Sequence, residues 1–132
     1  MKIKIITHER VVVDEEVDEI YVKGVDGEFG ILKGHVPVMS VLDIGLTRTK
    51  SSGICKVYTT MGGILQFHDD VCTILTDAAE AGSEIDKMRA KQSLEHAQKL
   101  RKEAQALLDI QKAEAAIARA KARLKASLSE TD

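Results

Sequence analysis

The chain has 132 residues, 44% hydrophobic and 30% charged, with a formal net charge of −2. That mix excludes a disordered or fibrous chain. No apolar run reaches the ~18 residues a membrane-spanning helix requires. The opening "MKIKIITHER" interleaves charges with apolar residues and so lacks a signal-peptide core, which predicts a cytosolic protein. Cys55 and Cys72 are then expected as reduced thiols packed in strands.

The charge is split along the chain. Residues 1–82 hold 8 Lys/Arg against 13 Asp/Glu, a net of −5, and residues 83–132 hold 11 against 8, a net of +3. All nine Gly and the single Pro also lie before Ser83. These shifts predict two units with a boundary at Ala81–Ser83.

The first unit, 1–82, reads as short strands. "KIKIIT" (2–7), "EIYVKG" (19–24), "LTRTK" (46–50), "ICKVYTT" (54–60), "ILQFH" (64–68) and "VCTILT" (71–76) are rich in β-branched residues. Turn signals separate them at Val25-Asp26-Gly27, Ser51-Ser52-Gly53, Gly62-Gly63 and Asp69-Asp70. Alternation such as Ile3/Ile5 against Lys2/Lys4 places one face in a core. Many short strands with frequent turns predict an antiparallel sandwich or barrel. "GEFGILKGHVPVM" (27–39) reads as a loop, with glycines supplying positive φ.

The second unit, 83–132, is helical. Ser83 is predicted as N-cap, with Asp86 three residues on. One apolar stripe runs Ala90, Leu94, Ala97, Leu100, Ala104, and a second runs Ile110, Ala113, Ile117, Ala120, Leu124, Leu128. No Gly or Pro marks a break in "EAQALLDIQ", where Asp109 is the plausible N-cap. The pattern permits a helical hairpin. It also permits one helix of roughly 67 Å at ~1.5 Å per residue.

Catalytic signals are missing. No two of His8, His35, His68, His96 and the cysteines stand at a metal-ligand spacing, and no metal site is expected. There is no G-x-S-x-G, no Walker A loop and no G-x-G-x-x-G. The basic helical unit has no aromatic residue to stack on bases, so nucleic acid is not an expected partner. The residues point to a binding protein rather than an enzyme. On these residues alone, a free-standing β-sandwich binding module with a helical oligomerisation tail is an alternative reading.

Three motifs in one order go further. They are Gly27-Glu28-Phe29-Gly30-Ile31-Leu32-Lys33-Gly34-His35-Val36-Pro37, Gly62-Gly63-Ile64-Leu65, and Ile85-Asp86-Lys87-Met88-Arg89-Ala90. With the domain order, they resemble the ε subunit of bacterial F-type ATP synthases over essentially the whole chain. The resemblance implies an N-terminal β-sandwich of about ten strands followed by a two-helix hairpin. It implies a non-catalytic rotor-stalk subunit, monomeric when isolated, bound to the γ subunit and the c-ring. That places it as a peripheral protein on the cytoplasmic face of the cell membrane.

It also implies residue roles. Glu28, Phe29, Gly30 and His35 map onto the c-ring contact loop. Lys112, Arg119, Lys121, Arg123 and Lys125 map onto the cationic helix that meets the β subunit of the catalytic head when the hairpin extends and inhibits ATP hydrolysis. Glu80, Ile85, Asp86, Arg89, Ala90, Arg119 and Arg123 map onto a regulatory ATP site, with or without Mg2+, that locks the hairpin folded. His96 stands where strong ATP binders carry an arginine, and Lys33 and Phe29 replace the usual Pro and Leu of the loop.

Overall fold

A computed structural model describes residues 1–129, so the last three residues of the predicted helical unit lie outside the described residues. Eight strands are described: β1 (Lys2–Ile6), β2 (Val11–Glu16), β3 (Glu19–Gly24), β4 (Gly27–Leu32), β5 (Val38–Ser51), β6 (Ile54–His68), β7 (Val71–Leu75) and β8 (Ala79–Ala81). They form one sheet in the order β2-β1-β7-β6-β5-β3-β4, with β8 paired to β6. The sheet folds around a core of Ile3, Ile5, Ile20, Val22, Ile31, Leu65, Phe67 and Ile74, the inward positions of its alternating strands.

The sandwich differs from its sequence expectation in three ways. β1 pairs in parallel with β7, so the sheet is mixed rather than antiparallel. The stretches 54–60 and 64–68 are one strand, β6. It turns a corner at Gly62 and Gly63, whose φ values are 77° and 113°. A Cβ on Gly63 would stand 2.0 Å from the Leu75 carbonyl oxygen, so that corner admits glycine alone. Third, "VVVDEE" and "GEFGIL" are strands, β2 and β4. β4 is held by a full antiparallel register from Glu19↔Leu32 to Gly24↔Gly27, leaving only residues 33–37 as loop.

After β8 comes a 3-10 turn, Gly82–Glu84, then α1 (Lys87–Glu103) and α2 (Leu107–Ser129). The hairpin form is the one adopted. Ser83 lies within the 3-10 turn, and the N-cap of α1 is Asp86, whose carboxylate accepts the Arg89 N–H at 3.1 Å. α1 ends at Ala104, where ψ turns to 131°. α2 begins when the Ile110 N–H donates to the Ala106 carbonyl at 3.0 Å, so Asp109 sits in its first turn rather than at its cap. Ala97 of α1 and Ala113 and Ala120 of α2 are buried, which lets the two helices approach closely. α2 packs on β5, β6 and the 3-10 turn, whereas the principal partner of α1 is α2. The predicted stripes hold in part: Leu100 and Leu128 are exposed, and Ala122 and Ala126 are buried instead. Cys55 is exposed on β6, Cys72 is buried on β7, and both are free thiols.

Candidate functional site

The 3-10 turn, the first turns of α1 and the C-terminal half of α2 enclose a pocket of about 450 Å³, within the usual range for small-molecule sites. Glu80, Ile85, Asp86, Arg89, Ala90 and Arg123 line it, so six of the seven residues predicted to hold a nucleotide converge there. Arg119 lies one turn before Arg123 on α2 and does not line the pocket. His96 does not line it either.

Local sequence explains the convergence. Asp86 must stay non-helical to cap α1. That fixes Ile85 and Asp86 at the pocket mouth and puts Arg89 and Ala90 in the helix turn that follows. Two further lining residues, Glu84 and Ser93, were not singled out from sequence. Ser93 is signalled by spacing, since it falls three and four residues after Ala90 and Arg89 on the same helix face.

The electrostatics are specific. Glu80, Glu84 and Asp86 face Arg89 and Arg123, three acids against two bases. Arg123 Nε donates to Glu80 Oε1 at 2.9 Å, and both side chains are about two-thirds buried. Arg10, on the turn before β2, reaches Glu84 at 3.5 Å. An incoming polyanion therefore meets an Arg123 already engaged by a carboxylate. The guanidinium of Arg123 still carries N–H groups beyond the one on Glu80.

The remaining predicted residues divide by element. Glu28, Phe29 and Gly30 are on strand β4 rather than in a loop; only His35 is in the loop. The His35 ring meets Phe67 edge-on at 6.0 Å between centroids, and its Nδ1 lies 2.6 Å from the Val36 carbonyl oxygen. The cationic residues of α2 do not share one surface in the folded hairpin. Lys121 and Lys125 turn toward β3–β5, Arg123 turns toward the 3-10 turn, and Lys112 is exposed.

One feature of the sheet was not singled out from the sequence. Val41, Ile64, Leu75, Ile6 and Val11 stand in direct register across β5, β6, β7, β1 and β2. Four of them are large exposed apolar side chains: Val41 at 55%, Ile64 at 45%, Leu75 at 52% and Val11 at 56%. The neighbouring row, Met39, Gln66, Thr73, Lys4 and Asp14, is polar except for the exposed Met39 on β5. An apolar row with a polar border is the anatomy of a protein interface. The signal that could have found it is consecutive apolar residues within a strand, as in Ile74-Leu75, which make both faces apolar.

Among the described residues no three His, Cys, Asp or Glu gather as a metal site, and no helix is long and apolar enough to cross a membrane. The fold and site thus define a β-sandwich protein with a helical arm, a pocket at their junction and an exposed apolar row across the sheet. The chain belongs to the ATP synthase delta/epsilon chain family: the model of the beta-sandwich domain matches residues 1–82, and the model of the long alpha-helix domain matches residues 83–127. It is 40% identical over 128 residues to an ATP synthase epsilon chain of Symbiobacterium thermophilum, covering 96% of this chain and 92% of the relative. An epsilon chain of Gloeothece citriformis is 38% identical over 130 residues, covering 96% and 94%. The fold also matches solved structures. A chain in the Euglena gracilis mitochondrial ATP synthase OSCP/F1/c-ring structure superposes with a TM-score of 0.82 at 24% identity, covering 96% of this chain and 79% of that one. A chain in the Tetrahymena thermophila central stalk/c-ring structure gives 0.63 at 14%, covering 96% and 95%.

Proposed function

We propose that this chain is the rotor-stalk subunit of an F-type ATP synthase, peripheral on the cytoplasmic face of the cell membrane. The sandwich, residues 1–82, docks the γ subunit and the c-ring, and the helical unit, residues 83–132, regulates hydrolysis. The observation that carries the docking is the in-register row Val41–Ile64–Leu75–Ile6–Val11, an apolar face left to solvent in the isolated chain. Family membership supports a partner within the ATP synthase, and a chain of this fold is present in a central stalk/c-ring structure. The test is co-purification with γ. Ile64→Lys with Leu75→Lys is expected to keep the circular dichroism spectrum and lose the complex. Undiminished co-purification removes this face from the interface. A stable homo-oligomer of the isolated chain would instead favour a free-standing binding module.

The pocket of Glu80, Ile85, Asp86, Arg89, Ala90 and Arg123 supports a regulatory ATP site. Because it is built from both helices and the 3-10 turn, a ligand there binds only the folded hairpin and shifts the population toward it. In the extended form Lys112, Arg119, Lys121, Arg123 and Lys125 become available to the β subunit of the catalytic head and inhibit hydrolysis. With three acids against two bases in the pocket, Mg2+ accompanying the nucleotide would favour binding. Calorimetric titration of ATP, with Arg89→Ala as control, tests it. Heat that saturates in the wild type and disappears in the variant supports the site. No heat up to millimolar ATP removes it.

A further inference from the structure

One acid of the nucleotide-site candidate takes its partner from outside the pocket. Glu80 is matched by Arg123 at 2.9 Å, and Asp86 accepts the Arg89 N–H at 3.1 Å to cap α1. Glu84, the last residue of the 3-10 turn, is answered by Arg10, whose Nη2 lies 3.5 Å from Glu84 Oε2. Arg10 does not line the pocket and belongs to the sandwich, on the turn between β1 and β2. That turn is braced by its own sequence. The Thr7 hydroxyl oxygen accepts the N–H groups of Glu9 and Arg10, each at 3.2 Å, and the Thr7 N–H donates to the Arg10 carbonyl at 2.9 Å. The Arg10 backbone is thus fixed locally, and its long side chain reaches across to the 3-10 turn.

Stability does not account for the pair. Both side chains are more than half exposed, at 53% and 56%, and such pairs contribute little to folding. The consequence for the pocket is larger. A carboxylate facing a polyanion opposes its binding, and a guanidinium beside that carboxylate offsets its field. With Arg10 counted, Glu80, Glu84 and Asp86 face Arg89, Arg123 and Arg10, three acids against three bases. We propose that Arg10 is a positioning residue of this site: it holds and neutralises Glu84, so that a bound triphosphate meets arginines and not an unanswered carboxylate. The proposal rests on the reading of the pocket as a regulatory ATP site. It makes that site depend on the sandwich as well, through the β1–β2 turn, and not on the helical unit alone.

The test is calorimetric titration of ATP into the full-length wild type, Arg10→Gln, Glu84→Gln and the double variant, with a chelator and again with Mg2+. Glu84→Gln should bind ATP about fivefold more tightly than the wild type, and Arg10→Gln about fivefold more weakly. In the Glu84→Gln background, Arg10→Gln should change the affinity less than about twofold, because no carboxylate is left to neutralise. The changes should be largest without Mg2+, which otherwise cancels part of the charge of the nucleotide. Glu9→Gln removes an equal charge from the same turn and should leave the affinity within about twofold of the wild type. Melting temperatures should stay within about 2 °C throughout, as expected for exposed pairs. Equal weakening by Arg10→Gln in both backgrounds would make Arg10 a direct ligand contact and overturn the inference. So would an unaltered affinity in Glu84→Gln, or a gain as large in Glu9→Gln. ATP binding by the wild type with any of these results leaves the nucleotide site standing and removes only the role of Arg10. No binding by any of the chains in either buffer removes the nucleotide reading and this inference together.

Discussion

The Glu80–Arg123 pair fastens α2 to the end of the sheet, and its removal gives the sharpest test of how firmly the hairpin is docked. The bond is short, 2.9 Å from Nε to Oε1, with side chains 33% and 36% exposed. Two unit charges ~4 Å apart attract by ~4 kcal/mol at an effective dielectric of ~20. Partial desolvation and the ordering of two long side chains offset most of that, and fully exposed pairs retain only ~0.2–1 kcal/mol. With two-thirds of each side chain out of water, we expect a coupling of about 1 kcal/mol. The perturbation is a double-mutant cycle of Glu80→Ala and Arg123→Ala. The assay is native-state amide exchange of the buried α2 positions Ala120, Ala122 and Ala126 without nucleotide. A coupling of ~1 kcal/mol appears as a ~5-fold non-additivity in protection. Strictly additive effects of the two substitutions would refute the claim that this pair holds the arm.

Other expectations follow from particular contacts. Asp86→Ala removes the α1 N-cap and should cost about 1 kcal/mol in thermal unfolding with the fold retained; an unchanged melting temperature contradicts the cap. Gly63→Ala drives a Cβ to 2.0 Å from the Leu75 carbonyl oxygen at φ 113°. It should lower stability by more than ~3 kcal/mol, seen as loss of soluble protein or a much lower urea midpoint. Burial pushes the Cys72 thiol up to about 12 from its ordinary 9.0. Its contribution to stability is whole below pH ~9, where both states are protonated. It falls as pH rises toward about 12, because only the unfolded chain then gives up the proton. Denaturant titrations should show a shallower alkaline decline in Cys72→Ala than in the wild type. Iodoacetamide near neutral pH should label Cys55 and spare Cys72.

Legibility in the sequence tracked locality. β1, β3 and β7 were readable because period-two alternation is carried within each strand, and Ile3, Ile5, Val22 and Ile74 are buried where the alternation puts them. β4 was not, because Gly27, Gly30 and Phe29 give it no alternation; its strand form is imposed by β3 across a complete register. β2 ends in Asp14-Glu15-Glu16, which hides an edge strand behind charge. The parallel β1–β7 pair joins residues some seventy positions apart, a pairing no local pattern encodes. The two-helix form hid for the same reason: Ala104, Gln105 and Ala106 have no intrinsic preference for a break, so tertiary packing decides. Of the sites, the pocket residues were named through the family resemblance, which the contiguous motif Ile85 to Ala90 helps to carry, while Glu80 and Arg123 join them only in the fold. The apolar row was not, since five strands must first align before its members become neighbours.

The bend at Ala104–Ala106 also sets a mechanical scale. α2 has 23 residues, so its axis is about 35 Å long at ~1.5 Å per residue. The bend is held by few torsions; at Ala104 the departure from helix is ψ of 131° where a helix needs about −42°. Returning those torsions to helical values would point α2 away from the sheet instead of back along it, sweeping its far end through about 70 Å, twice its length. A rearrangement three residues wide would thus displace the far end of α2 by about 70 Å. In the proposed stalk role, such gearing would let a modest change in the grip on α2 be felt at a distant part of a large assembly.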